Sequence, residues 1–299
     1  MSPHDPPSEN VVEILGVSRN FGSKAALRDV RLAVPRGGVF GLIGENGAGK
    51  TTLIKHILGL LKAETGSVRV FGLDPVLDPV GALSRIGYLS EDRDLPDWMR
   101  IHELMSYTQA FYPHWDPAFA KRLCEMFELD ARQKIRTLSR GQRARVGLLS
   151  ALAHRPDLLL LDEPSSGLDP VVRRDILGAI VRTVAEEGRT VLFSSHLLDE
   201  VSRVADRVAM LHDGRIVLSA SLEEIQRSHR RVTLRFAQPL PMRPVLPGAL
   251  SCEGSGAEWT CLCNGGVEQL KSAAESLGAQ IVEDADASLD EIFIGRTKG

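Results

Sequence analysis

The chain switches repeatedly between two hydrophobic periods. From about residue 10 to 220, short runs rich in β-branched and other apolar residues alternate with longer stretches of helical pattern. That alternation predicts an α/β domain with a largely parallel sheet, because parallel neighbours need a crossover element between them. Strands are expected at 11–16, 27–34, 39–43, 67–71, 86–89, 158–162, 190–194 and 208–211. Asp213-Gly214 suits a tight turn and makes 215–219 the second arm of a hairpin. Between about 96 and 154 the strand signals fade. Helices are expected at 101–111, 118–127 and 142–153, the first two separated by Pro113 and Pro117.

The texture changes near Ser228. Four prolines at 239, 241, 244 and 247 exclude regular helix or central strand there. Around them the pattern predicts strands at 231–236, 259–263 and 280–283 and helices at 267–277 and 288–294. The expected organisation is a short disordered lead-in at 1–9, a main domain at 10–227 with a helical insertion at about 92–155, and a small α+β domain at 228–299. No apolar run approaches the roughly 18 residues of a membrane-spanning helix, and the first ten residues lack the basic and apolar regions of a signal peptide. A net charge of -3 leaves no global basic footprint for nucleic acid. The four cysteines, at 124, 252, 261 and 263, are too few and too unevenly placed for a disulfide framework, so a reduced, cytosolic protein is expected. Cys261 and Cys263 alternate as neighbours on one strand face, which makes them core residues. The reading as metal ligands lacks the usual two-residue spacer.

Function has to come from local motifs. Gly44-Glu45-Asn46-Gly47-Ala48-Gly49-Lys50-Thr51 fits G-x-x-x-x-G-K-[ST], between an expected strand and a helical pattern that begins at Thr52. Its glycines let the backbone approach phosphate oxygens, and the helix start adds partial positive charge. Lys50 can reach the outer phosphates, and the Thr51 hydroxyl can ligate Mg²⁺. Leu158-Leu159-Leu160-Leu161-Asp162-Glu163 reads as a strand buried on both faces that ends in two carboxylates. Asp162 is a candidate Mg²⁺ partner and Glu163 a candidate general base. Leu138-Ser139-Arg140-Gly141-Gln142 precedes a helical run, with Ser139 as its N-cap, and such a start can face an anion. No Asn-Lys pair exists, which counts against a guanine-specific site.

In order and spacing, these segments together resemble the ATP-binding subunit of ABC transporters. Gly44 to Thr51 matches Walker A, Leu138 to Gln142 the LSGGQ signature, and Leu158 to Glu163 Walker B. Ser166-Gly167-Leu168-Asp169 matches the D-loop, and His196 in Ser194-Ser195-His196 matches the switch histidine. The resemblance spans about residues 10–220. It implies a P-loop NTPase cassette with an antiparallel β-subdomain and a helical insertion. It further implies a head-to-tail dimer, with itself or another cassette, with two ATP molecules at the seam. Residues 44–51 and Thr52 would hold ATP in cis, while Ser139, Arg140, Gly141 and Gln142 of the partner would face its γ-phosphate in trans. Glu163 and His196 would be catalytic, Asp162 and Thr51 would support Mg²⁺, and Asp169 would link the two sites. Phe21 fits the position that stacks on adenine, its alternative being an ordinary core aromatic.

Two departures stand out. Glu91 occupies the Q-loop position where Gln is usual, which resembles cassettes that serve ABC-2-type export permeases. A carboxylate there can still ligate Mg²⁺ but adds negative charge near the γ-phosphate. Arg140 replaces the first signature glycine. The helical insertion would receive an integral membrane permease, with the chain peripheral on the inner face of the cell membrane. Trp98, Met99, Phe111, Tyr112 and Trp115 there either rim a docking groove or fill a small core. The rival expectation is a soluble ABC ATPase acting on nucleic acid or ribosomes. It is disfavoured by the single cassette and by the lack of room for a long coiled coil between Thr51 and Ser139.

Overall fold

The computed structural model describes residues 9–297, so the expected lead-in lies outside the described residues except for Glu9. The chain divides into two compact units between Ser219 and Ala220. The expected boundary lay eight residues later. The helix at Leu222–Ser228 belongs instead with the strand that follows it, because Ile225 is buried and its carbonyl meets the His229 ring at 2.9 Å.

The first unit begins with β1 (Asn10–Phe21), β2 (Lys24–Pro35), β3 (Gly38–Ile43), α1 (Lys50–Ile57), β4 (Thr65–Val70), α2 (Pro79–Leu83) and β5 (Ile86–Leu89). The insertion carries α3 (Ile101–Gln109), α4 (Pro117–Met126) and α5 (Arg140–Leu152). The unit closes with β6 (Leu158–Leu161), α6 (Pro170–Glu187), β7 (Thr190–Ser195), α7 (Leu198–Val204), β8 (Arg207–His212) and β9 (Arg215–Ser221), the boundary falling just before the last two residues of β9. Two sheets result. One is antiparallel with order β2-β1-β4, and the other has order β5-β6-β7-β3-β8-β9. Its first five strands are parallel. Asp213 and Gly214 both take positive φ, 45° and 73°, which turns β8 tightly into β9 as the Asp-Gly pair predicts.

The main core lies among α1, the antiparallel sheet and one face of the parallel sheet. Leu53, Ile54 and Ile57 of α1 are fully buried, each worth about 1.5–3 kcal/mol of transfer free energy. All four leucines of β6 are fully buried, as expected of a strand covered on both faces. A smaller core holds the insertion together through Met99, Ile101, Leu104, Ile135, Leu138 and Val146. Pro117 does not lie between helices but begins α4. Asp116 accepts the Phe119 N–H at 2.8 Å, and the missing proline N–H costs nothing in the first turn. Of the insertion's aromatics, Trp98 and Phe111 are exposed, whereas Tyr112 stacks on His154 with ring centroids 3.8 Å apart.

The parallel register decides where the chemistry sits. Leu89 pairs with Leu161, Leu161 with Phe193, and Ser195 with Ile43. The segments after β5, β6, β7 and β3 therefore leave the sheet along one carboxyl edge, where open α/β sheets bind ligands.

The second unit contains α8 (Leu222–Ser228), β10 (His229–Phe236), β11 (Ala249–Ser255), β12 (Glu258–Asn264), α9 (Val267–Ser276), β13 (Ala279–Asp286) and α10 (Leu289–Thr297). Its antiparallel sheet has order β11-β12-β10-β13. β11 went unforeseen, because Ser251-Cys252-Glu253-Gly254-Ser255 shows little apolar alternation; it forms as an edge strand on β12. The proline-rich stretch is irregular, yet it delivers Leu246 to this unit's core. Cys261 and Cys263 are both buried, as their spacing predicts. The expectation that all cysteines are reduced needs correction: Cys252 and Cys261, paired across β11 and β12, form a disulfide.

His154 is 3% exposed and its Nε2 meets the Ile86 carbonyl at 3.1 Å. Burial, only partly offset by that hydrogen bond, holds its pKa down from 6.5 to about 4. The folded pKa lies below the unfolded one, so the stability His154 contributes is complete above pH 6.5 and is lost as pH falls toward 4. The loss by pH 5 is about 2 kcal/mol. Denaturant unfolding of wild type and His154→Gln at pH 7.5 and 5 checks this. The variant should lose less stability over that interval, and an equal loss would contradict the assignment.

Candidate functional site

The loop between β3 and α1 wraps the helix start. Gly49 is the residue before α1, at φ 111°, and no side chain caps the helix. The first-turn N–H groups are thus left to whatever anion approaches, the arrangement that suits a phosphate. A side chain at Gly49 would stand 2.6 Å from the Ala26 carbonyl, and one at Gly44 2.4 Å from the Leu211 carbonyl. Neither position admits a Cβ, so the motif's glycines are required by close backbone packing as well as by ligand approach. Ala48 closes the turn by donating its N–H to the Glu45 carbonyl at 3.2 Å.

One cleft is lined mostly by expected residues. Asn46, Gly47, Gly49, Lys50, Thr51 and Thr52 line it from the loop and α1. Phe21 lines it from the end of β1, 47% exposed, with the Arg19 guanidinium 5.1 Å from its ring centroid. An aromatic that exposed is no core residue, which removes the alternative for Phe21 and leaves a face free for stacking. Glu91 and Glu163 complete the lining from the ends of β5 and β6. Lys24 and Ala26, which sequence reasoning missed, join from β2.

The centre of the cleft is a buried charge chain. Lys50 Nζ is 3.0 Å from Glu163 Oε1, and both side chains are 5% exposed. Nζ also donates to the carbonyls of Gly44 at 2.6 Å and Glu45 at 3.1 Å. Glu163 Oε2 accepts from His196 Nδ1 at 2.7 Å. With Nδ1 carrying the proton toward a carboxylate, His196 Nε2 accepts when the ring is neutral and donates when it is charged. Glu163 sits at φ 46°, a left-handed conformation uncommon for a non-glycine residue. Its N–H is held by Ser194 Oγ at 2.9 Å, and that hydroxyl donates to Asp162 Oδ1 at 2.7 Å. Ser194 thus fixes both carboxylate residues, a role visible in the sequence only as the serine two before His196. Asp162 is 1% exposed and lies behind the cleft lining. Burial, and then the Asp162 charge, push the Tyr88 phenol up to about 12.

The remaining expected residues are not brought to this cleft. Ser139 caps α5: its Oγ accepts the Gln142 N–H at 3.2 Å and the Gln142 side chain accepts the Ser139 N–H at 2.9 Å. Gly141 is buried where a Cβ would meet Val172 at 2.8 Å, and the exposed Arg140 turns its guanidinium onto Gly167. Asp169 accepts the N–H groups of Val171 and Val172 at 3.0 and 3.1 Å at the start of α6. These residues form a second cluster around α5 and the segment before α6.

The profile of the ABC transporter family matches residues 27–166, from β2 to just past Glu163. The NatA ATP-binding protein of Bacillus subtilis is 34% identical over 76% of this chain and 96% of its own. This chain belongs to the ABC transporter ATP-binding proteins. Another relative, YtrB of the same organism, is 28% identical and matches 97% of this chain and 99% of its own, second unit included. A solved dimeric ATP-binding cassette in a post-hydrolysis state with ADP and Pi has a TM-score of 0.63 at 25% identity, covering 71% of this chain and 98% of that one. As a member of the family this ABC protein is an ATP hydrolase.

Replacing Lys50 by Ala removes the cation facing the loop and leaves Glu163 buried without it. ATP affinity, measured by calorimetry, should fall roughly 10- to 100-fold, the range for charge-assisted hydrogen bonds. Unchanged affinity would place the phosphates elsewhere.

Proposed function

We propose that this chain binds MgATP, closes head to tail with a second cassette, and uses hydrolysis to drive a separately encoded membrane permease of the ABC-2 export type. One observation carries the reading: a single chain holds two incomplete halves of a phosphate site. Lys50, Glu163 and His196 meet in one cleft. The Ser139 hydroxyl and the α5 start belong to a different cluster. Ser139 Oγ spends an acceptor lone pair on its cap, and its hydrogen remains available to a partner's γ-phosphate.

In this mechanism the γ-phosphate competes with Glu163 for Lys50. Release of Oε1 frees the carboxylate to take a proton from the attacking water, while His196 holds Oε2 in place. The donors available to Mg²⁺ are hard oxygens, from Thr51 and Glu91 in the cleft and Asp162 behind it, which fits the ion's preference. Among the described residues no group of three or more His, Cys, Asp or Glu side chains could hold a metal, so the phosphates themselves would supply the rest of the coordination.

A permease partner is favoured over nucleic acid by an apolar groove between α2 and α3, lined by Val80, Leu83, Tyr107, Phe111 and Tyr112. Val80 is 80% and Phe111 62% exposed. Among the described residues no helix is long and apolar enough to cross a membrane, so the proposed place on the inner membrane face depends on that partner. Glu91 is the feature that points to ABC-2 export.

Light scattering on Glu163→Gln, with and without MgATP, tests the closure. Nucleotide should convert monomer to dimer, and adding Gly141→Asp should block the conversion without preventing ATP binding. Dimers that form equally well with Gly141→Asp would remove the signature segment from the seam.

A further inference from the structure

Resting on the proposed site, we infer that Arg93 is a positioning residue: it ties the loop carrying Glu91 to the segment following Glu163, so that the two move as one. β5 and β6 stay paired to their ends, where Leu89 accepts the Asp162 N–H at 2.9 Å. Past that point the two chains would be free to diverge. Arg93 bridges them, its guanidinium donating to the carbonyls of Pro164 at 3.1 Å and Ser166 at 2.8 Å. A turn, closed by the Arg93 N–H on the Ser90 carbonyl at 3.3 Å, aims it there.

The cost of this arrangement argues that it serves the site. Arg93 takes φ 51°, which disfavours a long side chain, and is 6% exposed. Among the described residues no carboxylate pairs with it within ion-pair distance, and its Nε is buried without a hydrogen-bond partner. A buried cation resting on carbonyls is a poor stabiliser compared with an apolar side chain of like size. Arg140 lies beside the far end of the same segment, its guanidinium where a Cβ on Gly167 would be 2.6 Å away. The stretch from Pro164 to Ser166 is therefore held by Arg93, directly after Glu163. A displacement of Glu91, which lines the cleft, is carried to the Glu163 backbone through Arg93.

The test compares purified full-length wild type with Arg93→Lys, Arg93→Gln and Arg93→Met, measuring thermal unfolding, fluorescent-ATP affinity, kcat and KM. Arg93→Gln and Arg93→Met should stay folded, bind nucleotide within about 3-fold of wild type, and lose roughly 10-fold or more in kcat with KM little changed. Lysine can donate to both carbonyls, so Arg93→Lys should recover most of the rate. Glu91→Gln should change the rate in wild type but add nothing further in Arg93→Gln. The inference is overturned if the Gln and Met variants turn over like wild type, if they unfold at the assay temperature, if Lys is as slow as Met, or if the Glu91 and Arg93 effects add. Wild type that does not hydrolyse ATP, or a Lys50→Ala variant that hydrolyses it equally well, would overturn the underlying site and this inference with it. Normal wild-type hydrolysis with unaffected Arg93 variants would overturn this inference alone.

Discussion

Two opposite charges that are almost wholly out of water must stay paired, and the pairing of Lys50 with Glu163 organises this molecule. Neither group could be buried alone without a large desolvation penalty. Lys50 opens α1 after β3 and Glu163 follows the end of β6, two strands separated in the sheet by β7. Their contact therefore requires the strand ends to be level, which the parallel register provides. β7 and the residue after it span the gap: Ser194 steadies the Glu163 backbone and His196 takes its second carboxylate oxygen. Glycine at 44 and 49 follows from the same need, since the loop has to press against the carbonyls of Leu211 and Ala26 to bring Lys50 inward.

A pair of this kind is also a switch. Its strength depends on Lys50 having no better anion, and a phosphate with two negative charges is a better anion. In the proposed mechanism the binding step releases the carboxylate that hydrolysis uses, so electrostatics sets the order of events. The strain at Glu163 and the hydrogen bonds that hold it keep the carboxylate aimed once its partner has gone. The second unit has its own core and a cross-strand disulfide.

The cleft was largely legible because phosphate chemistry leaves few choices. Backbone approach demands glycine at fixed spacing, Lys50 has to follow directly, and a doubly covered strand announces itself as Leu158 to Leu161. The segments that stayed hidden lack such constraints. β11 is polar and glycine-rich, and an edge strand needs only one apolar contact row to pair. Pro117 reads as a helix breaker until Asp116 is recognised as its cap. Nothing in the sequence marks Cys252 as the partner of Cys261, since that depends on the register of an unforeseen strand. Arg93 carries no motif either: its importance lies in two backbone carbonyls more than seventy residues away.

The assignment of Glu163 is tested most directly by single-turnover hydrolysis of bound ATP in wild type and Glu163→Gln, with nucleotide affinity measured on the same samples. A carboxylate that activates water predicts near-equal affinity and a rate lower by on the order of 10²–10³ in the variant. Equal rates in the two proteins would show that the buried Lys50–Glu163–His196 chain holds the fold of the cleft and takes no part in the chemistry.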